Sequence, residues 1–111
     1  MTDDARAARI GLNEAVFREL NEQIEQLVSE PARELKLVCE CGDPDCRKRI
    51  RMTLTEYENL RSDPRRFAVV PGHQLPEVED VVESGGDYVV VQKHDGTPAS
   101  IARRTDPRLG N

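Results

Sequence analysis

Tryptophan is absent from this sequence, and four rings, Phe17, Tyr57, Phe67 and Tyr88, make up its whole aromatic stock. Large rings carry much of the apolar area that a small core buries. A chain of 111 residues buries only about two-thirds of its unfolded surface to begin with, so a shortage of rings favours some other staple. Also missing is any apolar run near the roughly 20 residues that cross a bilayer. The acidic start, Met1-Thr-Asp-Asp-Ala-Arg6, lacks the apolar stretch of a signal peptide. These absences read as no membrane role and a cytoplasmic location, where thiols stay reduced. An odd count of three cysteines leaves any single disulfide scheme incomplete. No phosphate-cradling glycine loop, nucleophile elbow or paired-carboxylate arrangement is present, and the chain reads as a protein that is not an enzyme.

The length fits one domain, with an N-terminal amphipathic helix over 1–31, a metal-stapled α+β part over 32–102 and a polar tail over 103–111. From about Asp3 to Glu30 the chain is rich in Ala, Glu, Gln, Leu and Arg, all good helix formers. Its apolar residues fall at Ile10, Phe17, Leu20, Ile24 and Leu27, with Asn13 in the one polar gap. That spacing alternates three and four, as in heptads. The first reading packs this stripe on the protein's own sheet, and the alternative is a homodimer or docking helix. Gly11 weakens the helix ahead of it, and Pro31 marks its stop.

Beyond Glu34 the period changes from helical to alternating. Leu35 to Glu40 and Ile50 to Leu54 read as two strands joined through Cys41-Gly-Asp-Pro-Asp-Cys46. Thr55-Glu-Tyr-Glu58 matches a capping box, with Thr55 as N-cap of a short inserted helix from Glu56 to about Ser62. Phe67 to Val70 reads as a strand ending at Pro71-Gly72-His73. Ser84-Gly-Gly-Asp87 is a turn signal between Val78–Val82 and Tyr88–Val91, although Val78, Val81 and Val82 also fit one helix face. The sum is an α+β fold: a long helix, then a small, mostly antiparallel sheet with one short helix inserted.

All three cysteines lie within the eight residues Cys39-Glu-Cys41-Gly-Asp-Pro-Asp-Cys46. Alternate strand residues share a face, so Cys39 and Cys41 can converge on one centre. Gly42 allows an unusual backbone conformation, and Pro44 pre-sets the turn that returns Cys46. Soft thiolates held this way suit zinc, which takes four tetrahedral ligands. The basic run Arg47-Lys48-Arg49 favours the thiolate form. The fourth ligand is expected to be His73, fixed by its Pro-Gly turn, with His94 or a water as rivals. Asp43 and Asp45 are expected to accept amide hydrogens or face water. Buried apolar thiols, a redox pair and a catalytic zinc with bound water are the competing readings. The last needs a general acid or base and a pocket, and the sequence identifies neither.

These elements resemble those of a set of short bacterial proteins, mainly actinobacterial, with a Cys-x-Cys-x4-Cys motif, a Leu-Thr-x-x-Glu-Tyr segment and a Pro-Gly-His turn. Here these are Cys39 to Cys46, Leu54-Thr-Glu-Tyr57 preceded by Thr53, and Asp63 to His73. An Asn13 to Arg18 stretch belongs to the likeness, which spans about Asn13 to Arg108. The resemblance implies the three cysteines and His73 as one set, and it brings no activity with it.

Seven basic residues, Arg47, Lys48, Arg49, Arg51, Arg61, Arg65 and Arg66, face only Glu56, Glu58 and Asp63 in their stretch, within a chain of net charge −5. A basic face beside a zinc site suits nucleic acid. Against this stand the overall acidity, which steers polyanions away, and the scarcity of rings for base stacking. The favoured expectation is a zinc-stabilised module with an unidentified protein partner. A nucleic-acid binder using Arg47 to Arg66 comes second, and a small metallo- or thiol-redox enzyme third.

Overall fold

Leu35, Leu37, Ile50 and Met52 alternate with charged residues, and in a computed structural model of the chain, which describes residues 2–109, they form the inner face of a hairpin. The order is α1 (Thr2–Glu25), β1 (Glu34–Val38), β2 (Arg49–Thr53), α2 (Leu54–Arg61), β3 (Arg66–Val69), β4 (Glu79–Ser84), β5 (Val89–Lys93) and α3 (Thr97–Arg104). The strands make two antiparallel sheets rather than one: β1-β2, and a second of order β3-β5-β4. Leu37 pairs with Ile50 and Leu35 with Met52. Val81 pairs with Val91 beside a bulge that follows it in β4, so the helical alternative for Val78–Val82 is overturned.

The cap of α2 lies two residues earlier than expected. Both Thr53-Leu-Thr-Glu56 and Thr55-Glu-Tyr-Glu58 fit the capping-box pattern, and the chain uses the first: Thr53 Oγ1 accepts from Glu56 N, and Glu56 Oε1 accepts from Thr53 N. Ending β2 at Thr53 aims Tyr57, Leu60 and Arg61 inward. Thr55 instead donates its hydroxyl to Pro31 O.

Helix α1 also departs from its expected form. It stops at Glu25, five residues before the expected end, and Ile24 and Val28 then fold against the hairpin core. Of the expected stripe, Ile10 and Phe17 are buried, whereas Leu20 is 43% and Leu27 85% exposed. The face α1 does bury carries Glu14, Arg18, Asn21 and Glu22. Each of these has a partner across the fold, because a buried polar group left unpaired would cost several kcal/mol, on the order of 2–7. Arg18 donates to Pro64 O, Ala102 O and Thr105 Oγ1 and stacks 4.7 Å above the Phe67 ring. Glu14 lies 2.8 Å from Lys93 Nζ, which also bonds Glu79 at 2.9 Å.

The expected polar tail begins in a helix, and its last two residues, Gly110 and Asn111, lie outside the described residues. Helix α3 takes in Arg103 and Arg104, and it passes so near α1 that a Cβ on Gly11 would lie 2.9 Å from Ile101. Gly11 therefore marks a close crossing and does not end the helix. Arg108 then ties the chain back, meeting Glu22 at 2.7 Å and Glu58 at 2.8 Å.

Candidate metal centre

Cys39 and Cys41 leave the end of β1, Cys46 closes the loop into β2, and His73 stands just past β3. One ligand atom from each of the four lies within 4.8 Å of every other. Nδ1 of His73 is 3.7 Å from Cys39 Sγ and 3.6 Å from Cys46 Sγ. Among the described residues this is the one group of three or more such side chains that could hold a metal ion. Cys39 and Cys41 are buried, at 1% and 2% exposure.

The His73 turn is built as its residues dictate. His73 N bonds Val70 O at 2.9 Å, with Pro71 and Gly72 at the centre and Gly72 at φ +97. A left-handed φ after proline is the type II turn, where glycine has no Cβ penalty. Gly42 has a different reason from the expected one, since its φ is not positive. A Cβ there would lie 2.6 Å from Ile10 Cγ2, and Asn13 Nδ2 donates to Gly42 O at 3.0 Å. Helix α1 thus clasps the cysteine loop through one apolar and one polar contact.

Backbone amides stabilise the sulfurs. Val70 N donates to Cys39 Sγ at 3.2 Å, and the amides of Asp43 and Lys48 act on Cys41 and Cys46. Such outer contacts orient metal ligands and tune their charge. The three thiols do not share charge evenly. A hydrogen bond from Cys39 draws Cys41 down to about 5, while that bond and burial push Cys39 up, and burial raises Cys46.

Glu40, between the first two cysteines, is the residue that the sequence reading passed over. It is fully buried. Its N donates to Ala68 O at 2.9 Å, and its Oε1 accepts from Ala68 N at 3.0 Å. Arg61 Nη2 and Nη1 reach its two oxygens at 2.8 and 3.1 Å, and Asn21 Nδ2 reaches Oε2 at 2.7 Å. This clamp locks the Cys39–Cys41 segment onto β3, the strand that delivers His73. Strand alternation placed Glu40 opposite the cysteines, which reads as solvent; only the second sheet makes that side an interior.

His94 lies elsewhere, with Nε2 3.1 Å from Asp80 Oδ1, and is outside the group. Asp43 accepts from Asp45 N at 2.9 Å, and both aspartates are exposed. The expected basic face breaks apart. Arg61 is buried against Glu40, and Arg65 pairs with Asp63 at 2.9 Å. What remains is the outer face of the hairpin, where Lys36 stands opposite Arg51, itself paired with Asp87 at 3.4 Å, with Arg47, Lys48 and Arg49 also exposed.

No family model, no curated protein and no solved structure matches this chain. No helix of the described residues is long and apolar enough to cross a membrane.

Proposed function

We propose that Cys39, Cys41, Cys46 and His73 bind one zinc ion as a closed structural site, in a cytoplasmic, non-enzymatic protein whose task is to bind another protein. The observation that carries the metal is the spacing of the ligand atoms. Zinc bonds of about 2.3 Å to sulfur and 2.0–2.1 Å to nitrogen, at tetrahedral angles, require S···N edges of about 3.6 Å. The two S···N distances are 3.6 and 3.7 Å. Four protein ligands leave no position for a reactive water, and three thiolates with an imidazole suit zinc over harder ions. Bound metal would tie β1, the β1–β2 loop and the end of β3 together, so its binding energy would act as folding energy.

Mass spectrometry of the intact protein under non-denaturing conditions, with and without a chelator, tests this reading. The expected result is one zinc per chain, whose removal shifts the charge distribution to that of an unfolded chain. His73→Ala should weaken zinc binding, and cobalt in place of zinc should give a tetrahedral spectrum without an exchangeable water. A metal-free protein that stays folded would overturn the proposal.

Nucleic acid is the second reading, supported by the exposed run Arg47, Lys48 and Arg49, none of which has an ion-pair partner among the described residues. Binding to DNA or RNA would fall steeply with salt, and retention that ignored salt would dismiss it.

A further inference from the structure

The outer face of α1 carries an apolar row of its own. Leu12 is 56% exposed, Val16 60% and Leu20 43%, and together with Ala15, Glu19 and Thr105 they line a shallow apolar groove of about 500 Å³. With about 100° of turn per residue, Leu12, Val16 and Leu20 form one row. Arg9 and Glu19 border it, both exposed, and neither has an ion-pair partner among the described residues.

We propose that a second copy of this chain covers this row, the two α1 helices crossing antiparallel about a two-fold axis level with residue 14. Three pairs share that midpoint in the sequence: Leu12 with Val16, Ala8 with Leu20, and Arg9 with Glu19. An antiparallel pair centred there places Leu12 against Val16 of the other copy. Ala8 lies against Leu20, a small residue facing a large one, and Arg9 lies beside Glu19. At 1.5 Å of rise per residue, Arg9 and Glu19 both stand about 7.5 Å from the axis, so their charges meet level. Symmetry then makes every contact twice, the self-complementarity that a two-fold interface requires. A parallel pair would set Arg9 against Arg9, and a foreign partner would have no need of a common midpoint. The row differs from the Ile10-to-Leu27 stripe legible in the sequence, half of which is spent inside the fold.

This inference rests on the interaction-module reading only in naming a partner, and the zinc does not enter it. A monomer holding one zinc would remove the dimer and leave the metal site standing; a metal-free dimer would do the reverse. The experiment is sedimentation equilibrium of the full chain, loaded with zinc, up to millimolar concentration. The expected result is a concentration-dependent dimer. Val16→Glu should abolish it with an unchanged melting curve, because Val16 is exposed in the single chain. Arg9→Glu and Glu19→Arg should each weaken association by about tenfold, turning two attractions into two repulsions, and the double swap should restore it. A chain monomeric at every concentration overturns the proposal, as does a Val16→Glu variant that still dimerises. A double swap that fails to restore association overturns the antiparallel register.

Discussion

Arg61→Met is the change that most directly tests how the fold holds the metal ligands. Methionine keeps an apolar stem, but it removes the guanidinium that lies 5.1 Å over the Tyr57 ring and 5.8 Å over the Phe67 ring and leaves the Glu40 carboxylate without its bidentate partner. Both side chains are at most 2% exposed, so solvent cannot take the guanidinium's place. Removing one member of a buried pair costs about 3–5 kcal/mol, most of it from the charge left behind. A domain of this size has an unfolding entropy of about 0.23 kcal/mol per kelvin, so the melting point should fall by about 13–21 °C. Because Glu40 sits between Cys39 and Cys41, zinc affinity should also fall, by about 10–100-fold. Thermal melts in excess zinc give the first quantity and competition with a chelator gives the second. The double variant Glu40→Met, Arg61→Met should recover part of the stability, since an apolar pair carries no stranded charge. A loss below about 1 kcal/mol for Arg61→Met, or a double variant no better than the single, would refute the reasoning.

Glu14 predicts a pH effect of definite sign. Burial raises its pKa to about 8 against the opposing pull of Lys93, so the folded state keeps a proton that the unfolded chain releases near 4.5. Its contribution is then full below 4.5 and lost as pH rises toward 8, with a slope of at most about 1.4 kcal/mol per pH unit. In denaturant titrations at constant zinc, Glu14→Gln should therefore gain on the wild type with rising pH over that window; a constant difference would remove the argument. Gly72→Ala meets strain at φ +97, of about 1 kcal/mol or more, and should weaken zinc binding by tilting His73. His94→Ala should leave zinc affinity unchanged in the same competition assay. Gly42→Ala should destabilise by forcing Ile10 aside, and adding Ile10→Ala should recover part of that loss if the 2.6 Å approach is the cause.

What the sequence disclosed follows from how local each signal is. The alternation of Leu35, Leu37, Ile50 and Met52 announces a hairpin, and Pro71-Gly72 announces a tight turn; both belong to neighbouring residues and both are present. The convergence of Cys39, Cys41 and Cys46 was legible for the same reason, and His73 because its turn directs it. The α2 cap was misplaced by two residues because two overlapping Thr-x-x-Glu patterns are equal until tertiary packing selects Thr53. Most was missed where a charge is buried against a distant partner. Arg18, Glu40, Arg61 and Lys93 look like surface residues in sequence, and partners as far as 87 residues away make them interior. Helix α3 escaped notice because Gly96 precedes it and no side chain caps its start.

The buried polar face of α1 bears on the order in which the molecule assembles. An apolar helix face can adhere to any collapsed core, but Arg18 has partners only once residues 64, 102 and 105 are in place. Those contacts close loops of 46 to 87 residues, and the entropy of closure must be met before they stabilise anything. During synthesis α1 emerges before its partners and must wait, with the Arg18 guanidinium unpaired, until α3 has formed. Hydrogen exchange pulsed during refolding should find the α1 amides protected after those of the β1-β2 hairpin. Protection of α1 ahead of the hairpin would show that the helix docks without its polar partners.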